Sequence, residues 1–280
     1  MEELISIKDV SYIYNDGKKA LQDVNISVGK GEKIAIMGPN GAGKSTLFGL
    51  LNGILKPSSG IIKIDKLETV KKNLPKIRRD VGVVFQDSDD QLFNSSVRQE
   101  IAYGLLNIGV FGEELNKTIK WALEVVGMEG YEDKSPHNLS GGEKKRIALA
   151  SVLAMKPKVL VLDEPTASLD PRGVSKLIKL LDYINKKFNI TLIFSTHDVD
   201  IVPLLADRVY LIDKGKIVLN GSTEEVFDNK EIIRKMDLRL PRVAHLVEIL
   251  EKDGEVQVDK LPLTIGQARK ILKNRSDINV

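Results

Sequence analysis

Lys33-Ile34-Ala35-Ile36-Met37-Gly38-Pro39-Asn40-Gly41-Ala42-Gly43-Lys44-Ser45-Thr46 carries the strongest signal in this sequence. An apolar run ends at Gly38, a glycine-rich turn follows, and a helical pattern opens near Lys44. From Gly38 to Ser45 the residues follow G-x-x-x-x-G-K-[ST], the phosphate-loop spacing, and the flanking strand and helix are the context in which that spacing has physical meaning. Glycines let the backbone bend so that successive N–H groups point inward at phosphate oxygens. The helix N-terminus adds the positive end of its dipole. The segment Gly38, Pro39, Asn40, Gly41, Ala42, Gly43, Lys44, Ser45 and Thr46 is therefore the expected triphosphate-binding stretch. Within it Lys44 neutralises the β- and γ-phosphates and Ser45 offers its hydroxyl to Mg²⁺.

A second stretch supports the first. Val159-Leu160-Val161-Leu162 is an apolar run that ends in two acids, Asp163 and Glu164. An acid at the end of a buried strand costs desolvation free energy unless it has a partner. Mg²⁺ is the natural partner for Asp163, which leaves Glu164 to face the γ-phosphate and polarise an attacking water as general base.

Working outward, Val24, Ile26 and Val28 alternate with polar positions, the period of a half-buried strand. Short β-rich runs recur at Ile61–Asp65, Val81–Phe85, Val159–Asp163, Thr191–Ser195 and Arg208–Asp213. Several are apolar throughout, as expected of strands covered on both faces. Between them, Leu115, Ile119, Ala122, Leu123 and Val126 follow helical spacing, as do Val174, Leu177, Ile178, Leu181 and Ile184. Strands alternating with helices predict an α/β fold with a largely parallel sheet. Residues 88–155 hold helical patterns with few strand signals, and read as a helical insertion. After residue 220 short helices are expected at Thr223–Phe227, Arg242–Leu250 and Thr264–Leu272.

Composition narrows the function further. The chain has 280 residues, 42% hydrophobic, and a net charge of +3 from 42 basic and 39 acidic side chains. That is enough for one large domain with a small appendage, and too balanced for a nucleic-acid-coating surface. There is no cysteine, which excludes disulfides, a thiol nucleophile and Cys-ligated zinc or iron–sulfur centres. The three histidines, His137, His197 and His245, are too few for a poly-histidine metal site. No apolar run approaches the roughly 18 residues of a membrane span, and the opening residues lack a signal-peptide pattern. A cytosolic chain is expected, one that meets a membrane only through a partner.

Leu139-Ser140-Gly141-Gly142-Glu143 opens another helical run. Ser140 with Glu143 fits a capping box, and the two glycines expose N–H groups at a second helix start, a second anion site. At this point the sequence resembles the ATP-binding cassette (ABC) family, whose signature reads LSGGQ or LSGGE; Ser140 lies 23 residues before Asp163, as the family layout requires. The resemblance covers roughly residues 3–225. It implies a RecA-like phosphate-loop ATPase core, an antiparallel β subdomain, a helical subdomain and a small C-terminal extension, with ATP and Mg²⁺ as ligands.

It also implies roles for further residues. Gln86 resembles the glutamine that touches Mg²⁺ and the transmembrane partner. Ser168-Leu169-Asp170 resembles the loop that crosses between two cassettes. His197 resembles the switch histidine at the γ-phosphate. Tyr14, 24 residues before Gly38, stands where the family places an aromatic against adenine, with Tyr12 as a competing choice. In the family two cassettes pair head to tail, so that each ATP would lie between Lys44 of one chain and Ser140, Gly141, Gly142 and Glu143 of the other.

Val81-Gly82-Val83-Val84-Phe85-Gln86-Asp87-Ser88-Asp89-Asp90-Gln91-Leu92-Phe93 looks like the ATPases of energy-coupling factor importers. Ser88 departs from that group, where proline is common; Asp89, Gln91, Leu92 and Phe93 agree. Asn107-Ile108-Gly109 after Tyr103-Gly104 continues the resemblance. It implies a peripheral subunit on the cytoplasmic face that works with a transmembrane coupling subunit and a substrate-binding membrane subunit. The cargo would be cobalt before nickel, or a vitamin. Leu92 and Phe93 would top a socket for a short helix of the membrane partner. In the extension, Val243, Leu246, Val247 and Leu250 form one apolar face, and Ala268, Ile271 and Leu272 begin another; these either join a second ATPase or pack on the chain's own core. The second ATPase chain is either an identical copy or a different cassette. A soluble cassette ATPase acting on nucleic acid or ribosomes is the competing class. Against it, only 95 residues separate Ser45 from Ser140, too few for a long coiled coil.

Overall fold

The computed structural model describes residues 2–276. β1 (Glu3–Ile13) and β2 (Lys19–Gly29) form an antiparallel pair with Ile7 opposite Ile26 and Val10 opposite Val24. β3 (Lys33–Met37) runs through the phosphate loop into α1 (Lys44–Leu51). β4 (Ser59–Ile64) and β5 (Leu67–Glu68) return beside β1, and α2 (Leu74–Asp80) leads to β6 (Val81–Val84). Three helices follow, α3 (Val97–Asn107), α4 (Gly112–Val126) and α5 (Gly141–Leu153). The chain then re-enters the sheet at β7 (Val159–Leu162) and continues through α6 (Pro171–Phe188), β8 (Thr191–Thr196), α7 (Val202–Leu205), β9 (Arg208–Asp213) and β10 (Lys216–Ser222). The tail holds α8 (Thr223–Asp228), α9 (Lys230–Lys235), α10 (Arg242–Lys252) and α11 (Ile265–Ser276).

Two sheets result. One is antiparallel, in the order β2-β1-β4-β5; the other runs β10-β9-β3-β8-β7-β6, parallel except for β10. The apolar runs of the parallel strands are explained by their period-2 side chains, which feed two cores at once. Ile34 and Ile36, Val159 and Val161, and Ile193 join a core shared with the antiparallel sheet and α1. Ala35 and Met37, Leu160 and Leu162, and Leu192 and Phe194 join a second core with the helices. The helical insertion lies between β6 and β7, as its composition predicts.

Because the strands are parallel, the segments after β3, β6, β7 and β8 all leave from one edge of the sheet, where ligands of open α/β sheets bind. Those segments carry Gly38–Thr46, Gln86, Asp163 with Glu164, and His197.

The tail departs from its sequence pattern in two respects. β10 runs across the expected boundary at residue 220, so the extension starts inside the sheet. On α10 the inward residues are Ala244, Val247 and Glu248, whereas Leu246 is 57% exposed. The expected face of Val243, Leu246, Val247 and Leu250 is therefore split, with only Val247 buried. Glu248, 3% exposed, takes the inward place instead and meets Arg234 at 2.6 Å, with Lys252 at 3.6 Å and Lys230 at 3.9 Å. Val226, Phe227, Ile233, Met236, Leu240, Ala244 and Leu263 join the helix-side core, so the extension packs on the chain through residues other than those of the two expected faces. Ala268 and Ile271 are half-buried; the side chain of Leu272 lies outside those described.

Candidate active site

The phosphate loop owes its shape to space as well as to dihedral freedom. Gly43 sits at φ 110°, and a Cβ there would stand 2.6 Å from the Ala20 carbonyl oxygen. A Cβ on Gly38 would meet the Ile212 carbonyl oxygen at 2.1 Å. Only glycine satisfies both positions. Lys44, first residue of α1, is buried and curls over the loop, its Nζ donating to the carbonyls of Gly38 (2.7 Å) and Pro39 (3.0 Å). Burial lowers the pKa of its ammonium, against the raising pull of Glu164 and Asp163.

Ser45 Oγ donates to Asp163 Oδ2 at 2.6 Å, joining the loop to the end of β7. The other carboxylate oxygen of Asp163 accepts from Ser195 Oγ at 2.5 Å, and Ser195 Oγ accepts from the Glu164 N–H at 2.8 Å. Ser195 thus fixes both acids from the neighbouring strand. Glu164 is held at φ 42°, in the left-handed region, and its side chain is nearly buried. Its Oε2 lies 2.6 Å from Nδ1 of His197, which stands after β8. Tyr14, just beyond β1, shares a 2.8 Å hydrogen bond between its hydroxyl and Thr46 Oγ1, and Tyr12 stacks edge-on against it at 5.0 Å.

The donor chemistry around Ser45 and Asp163 fits Mg²⁺. A hydroxyl and a carboxylate oxygen converge from two elements, and both are hard oxygen donors. Among the described residues no cluster of three or more His, Cys, Asp or Glu could enclose a metal.

Gln86 lies exposed after β6 in a cleft of about 550 Å³, together with Asp87, Asp163, Gly141, Lys145 and Ser168. Three side chains bind this loop to α5. Lys145 Nζ donates to the carbonyls of Phe85 (3.1 Å) and Gln86 (2.6 Å). Gln91 accepts from the Phe85 N–H and donates to the Ala148 carbonyl, both at 3.1 Å. Lys144 meets Asp89 at 2.6 Å. Lys145 is 4% exposed, and burial lowers its pKa while Asp87 and Asp163 raise it.

Ser140 precedes the first turn of α5 in extended conformation. Its N–H and hydroxyl donate to Glu143 Oε2 at 2.9 and 2.7 Å, and the Tyr131 hydroxyl donates to Oε1 at 2.8 Å. Led by the Ser140 hydroxyl, these bonds hold the Glu143 carboxyl down to about 2. So the capping box expected from Ser140 and Glu143 forms, and it supplies this helix start with a carboxylate from its own chain. Gly141 has no atom within 4 Å of where a Cβ would be, and Gly142 only Leu169 Cδ2 at 3.9 Å. Ser168 takes φ 63°, and Asp170 caps α6 by accepting from the Gly173 N–H at 2.6 Å. The two loops face each other across a cleft of about 380 Å³.

The structure therefore brings Lys44, Ser45, Asp163, Glu164 and His197 into one linked cluster and leaves Ser140–Glu143 on the separate helical layer. Ser195 and Lys145 escaped the sequence reading. Ser195 is a polar residue in the mostly apolar run of β8, which was an available signal; Lys145 stands among other charged residues at the start of α5, where nothing in the sequence singles it out. The expected socket changes as well: Leu92 is buried in the helix-side core, while Phe93, 62% exposed, stacks edge-on with Tyr103 at 5.1 Å. Leu106 and Phe111 are exposed too.

A triphosphate cradle and two fixed acids at one sheet edge, with a serine–glycine helix start on an inserted helical layer, make this a phosphate-loop ATPase built as a cassette. Residues 21–167 match the model of the family described as ABC transporter. The chain belongs to the ABC transporter family, as one of its ATP-binding subunits of the energy-coupling factor group, and hydrolyses ATP in support of transport. It is 67% identical over 96% of its length to an ABC transporter ATP-binding protein of Clostridium acetobutylicum, covering 97% of that protein. It is 51% identical to the energy-coupling factor transporter ATP-binding protein EcfA of Methanocaldococcus jannaschii, over 97% of each chain. Among solved structures, cbiO1 of Clostridium perfringens, part of the ABC transporter complex cbiONQ, superposes with a TM-score of 0.77 at 48% identity, covering 89% of this chain and 100% of that one. A dimeric ATP-binding cassette with ADP and Pi in a post-hydrolysis state gives 0.71 at 29% identity, over 79% and 99%. Among the described residues no helix is long and apolar enough to cross a membrane.

Proposed function

We propose that this chain is the peripheral, cytoplasmic-face motor of an energy-coupling factor importer, and that it works by closing head to tail on a second cassette around two ATP molecules. The observation that carries this reading is the contrast in glycines: Gly141 and Gly142 have open space around them, so the chain's own packing gives no reason for them. Small residues at an exposed helix start permit close approach by something from outside, and N–H groups there suit a phosphate. ATP bound at Lys44 of the opposite chain is that group. Ser168 and Asp170 line the same cleft and would form the crossing contact.

Lys44 holds the β- and γ-phosphates, Tyr14 carries the base, and Gln86 completes the site from the cleft wall. Ser45, Asp163 and Gln86 would hold Mg²⁺, which when bound neutralises phosphate charge. Glu164 takes the proton of the attacking water. His197 steadies Glu164 from one side and faces the γ-phosphate. The dimeric relative carrying ADP and phosphate supports the pairing. The energy-coupling factor names and the cbiONQ relative support a membrane coupling subunit, docked on the Gln86–Phe93 surface with Phe93 and Tyr103 as its apolar contact. The cargo in this reading is cobalt, then nickel, or a vitamin, selected by the membrane subunits.

Glu164→Gln tests the core of it. With Mg²⁺ and ATP the variant should bind nucleotide, fail to turn over and sediment as a dimer. A variant that stays monomeric at every concentration, with membrane subunits supplied, rejects the pairing. Uptake of labelled cobalt, nickel or vitamin by the reconstituted complex decides the cargo.

A further inference from the structure

The turn that carries His197 is tied to the C-terminal extension. Asp198 and Asp200 follow the histidine directly, and both meet Arg239, which lies between α9 and α10. Its Nη2 is 3.3 Å from Asp198 Oδ1 and 2.7 Å from Asp200 Oδ2. Asp200 Oδ1 accepts from the backbone N–H of Arg242 at 2.7 Å, and the Arg242 guanidinium adds a 3.4 Å contact to Oδ2. The turn is knit internally as well: the Asp198 N–H donates to Thr196 Oγ1 at 3.0 Å and the Asp200 N–H to Asp198 Oδ1 at 3.1 Å. Val199 and Ile201 anchor it in the helix-side core, the same core that Leu240 and Ala244 of the extension enter. Arg239 overcomes the burial of Asp200 and, with Arg242, keeps its carboxyl below the usual range.

We propose that Arg239 and Arg242, acting through Asp198 and Asp200, are positioning residues for His197, so that the extension sets the stance of the switch histidine against Glu164. The His197 side chain is 66% exposed, so apart from its contact with Glu164 the turn beneath it fixes its place. Arg239 and Asp198 are themselves about half exposed, and ion pairs of that kind contribute little to stability. Their effect is on geometry: a small misplacement of a catalytic group slows the reaction without weakening substrate binding. The inference rests on the role of Glu164 and His197 in hydrolysis given above.

The test uses the purified full chain with Mg²⁺ and ATP. Arg239→Ala and Asp200→Asn should each lower kcat about tenfold, leave KM within about twofold, and fail to add in the double variant. Arg239→Lys should recover part of the rate. The side-chain imidazole signals of the three histidines can be followed by NMR; those of His197 should move in Arg239→Ala while those of His137 stay in place. Unmoved His197 signals with unchanged kcat overturn the proposal, and so does a rate loss matched by a fall in melting temperature or a rise in KM. If Arg239→Ala does not fold, the isosteric Asp200→Asn is judged by the same criteria. Glu164→Gln and His197→Ala serve as controls. Should they abolish turnover while the arginine and aspartate variants leave it intact, the coupling to the extension fails alone. Should they leave turnover intact, the hydrolysis reading and this inference fail together.

Discussion

The chain has two glycine-bearing helix starts, and they are built in opposite ways. At α1 the glycines are demanded from within: Gly38 and Gly43 lie where any Cβ would strike backbone oxygens of the same chain, and Gly43 needs its positive φ. The side chains there are buried or cross-linked, with Ser45, Asp163, Ser195 and Glu164 joined by short hydrogen bonds. At α5 a Cβ would meet nothing within 4 Å at Gly141 and only Leu169 Cδ2, at 3.9 Å, at Gly142, and the cap is a carboxylate from the same turn. The first is a preorganised half of a site. The second leaves room at its glycines, as the proposed pairing requires. That contrast is what the proposed pairing with a second cassette would use.

The largest effect is expected at the preorganised half. Lys44→Ala removes the only buried ammonium at the phosphate loop among the described residues. ATP affinity measured by calorimetry should fall by about a hundredfold or more, the scale of a lost charge-assisted contact in a dry site. Unchanged affinity would contradict the phosphate-loop assignment of this lysine.

The comparison itself can be broken by placing the same methyl group at each helix start. Gly43→Ala forces a Cβ against Ala20 at an unfavourable φ, and should lower the melting temperature by several degrees. Gly142→Ala has room, and should leave the melting temperature unchanged or slightly raised. It should nonetheless cut ATP turnover by about tenfold, because close approach of the opposite nucleotide is lost. Affinity for ATP in the isolated chain should not change. If Gly142→Ala keeps full turnover, the open glycines are incidental.

A smaller effect is expected where the two halves are mechanically joined. Lys145→Met keeps the volume but leaves the Phe85 and Gln86 carbonyls without their donor. The loop that bears Gln86 would then lose one of its three ties to α5. Steady-state assays should give a kcat about three- to fivefold lower with KM unchanged, and a rise in KM alone would mean that the lysine serves only nucleotide binding.

Much of this was legible because the signals are local. The phosphate loop, the paired acids and the insertion each announce themselves through spacing or an apolar run, and the two-core architecture follows from strands apolar on both faces. What stayed hidden depends on contacts between distant segments. Ser195 meets the acids only because β8 lies beside β7. Lys145 sits within an ordinary helical run, and nothing before folding shows that its ammonium reaches the carbonyls of a loop some 60 residues earlier. Leu92 was expected at the surface of a socket and is buried. On α10 the spacing groups Val243, Leu246, Val247 and Leu250 on one face although the fold buries Glu248 with Val247 and leaves Leu246 exposed, because periodicity cannot tell which side of an amphipathic turn the core will take. Arg239 looks like a solvated surface charge in the sequence, and only the fold sets it against the residues after His197.

The smallest effect belongs to the cap of the open half. Glu143 carries a carboxyl held near 2, against an ordinary value of 4.5, by the Ser140 and Tyr131 donors. A group whose folded pKa is depressed contributes stability that is fully present above its unfolded pKa and is lost as pH falls through the folded one. The contribution of Glu143 is therefore complete above about pH 4.5 and fades between there and about pH 2. Glu143→Gln keeps one oxygen acceptor for Ser140 but not the charge. At neutral pH it should melt about one or two degrees below the unsubstituted protein. Followed downward in pH, that gap should stay constant to about 5 and then narrow, since every other carboxylate is common to both proteins and cancels in the difference. A gap that does not narrow would mean that charge does not hold this cap. The helix start would then be as neutral as its glycines, differing from α1 in its surroundings alone.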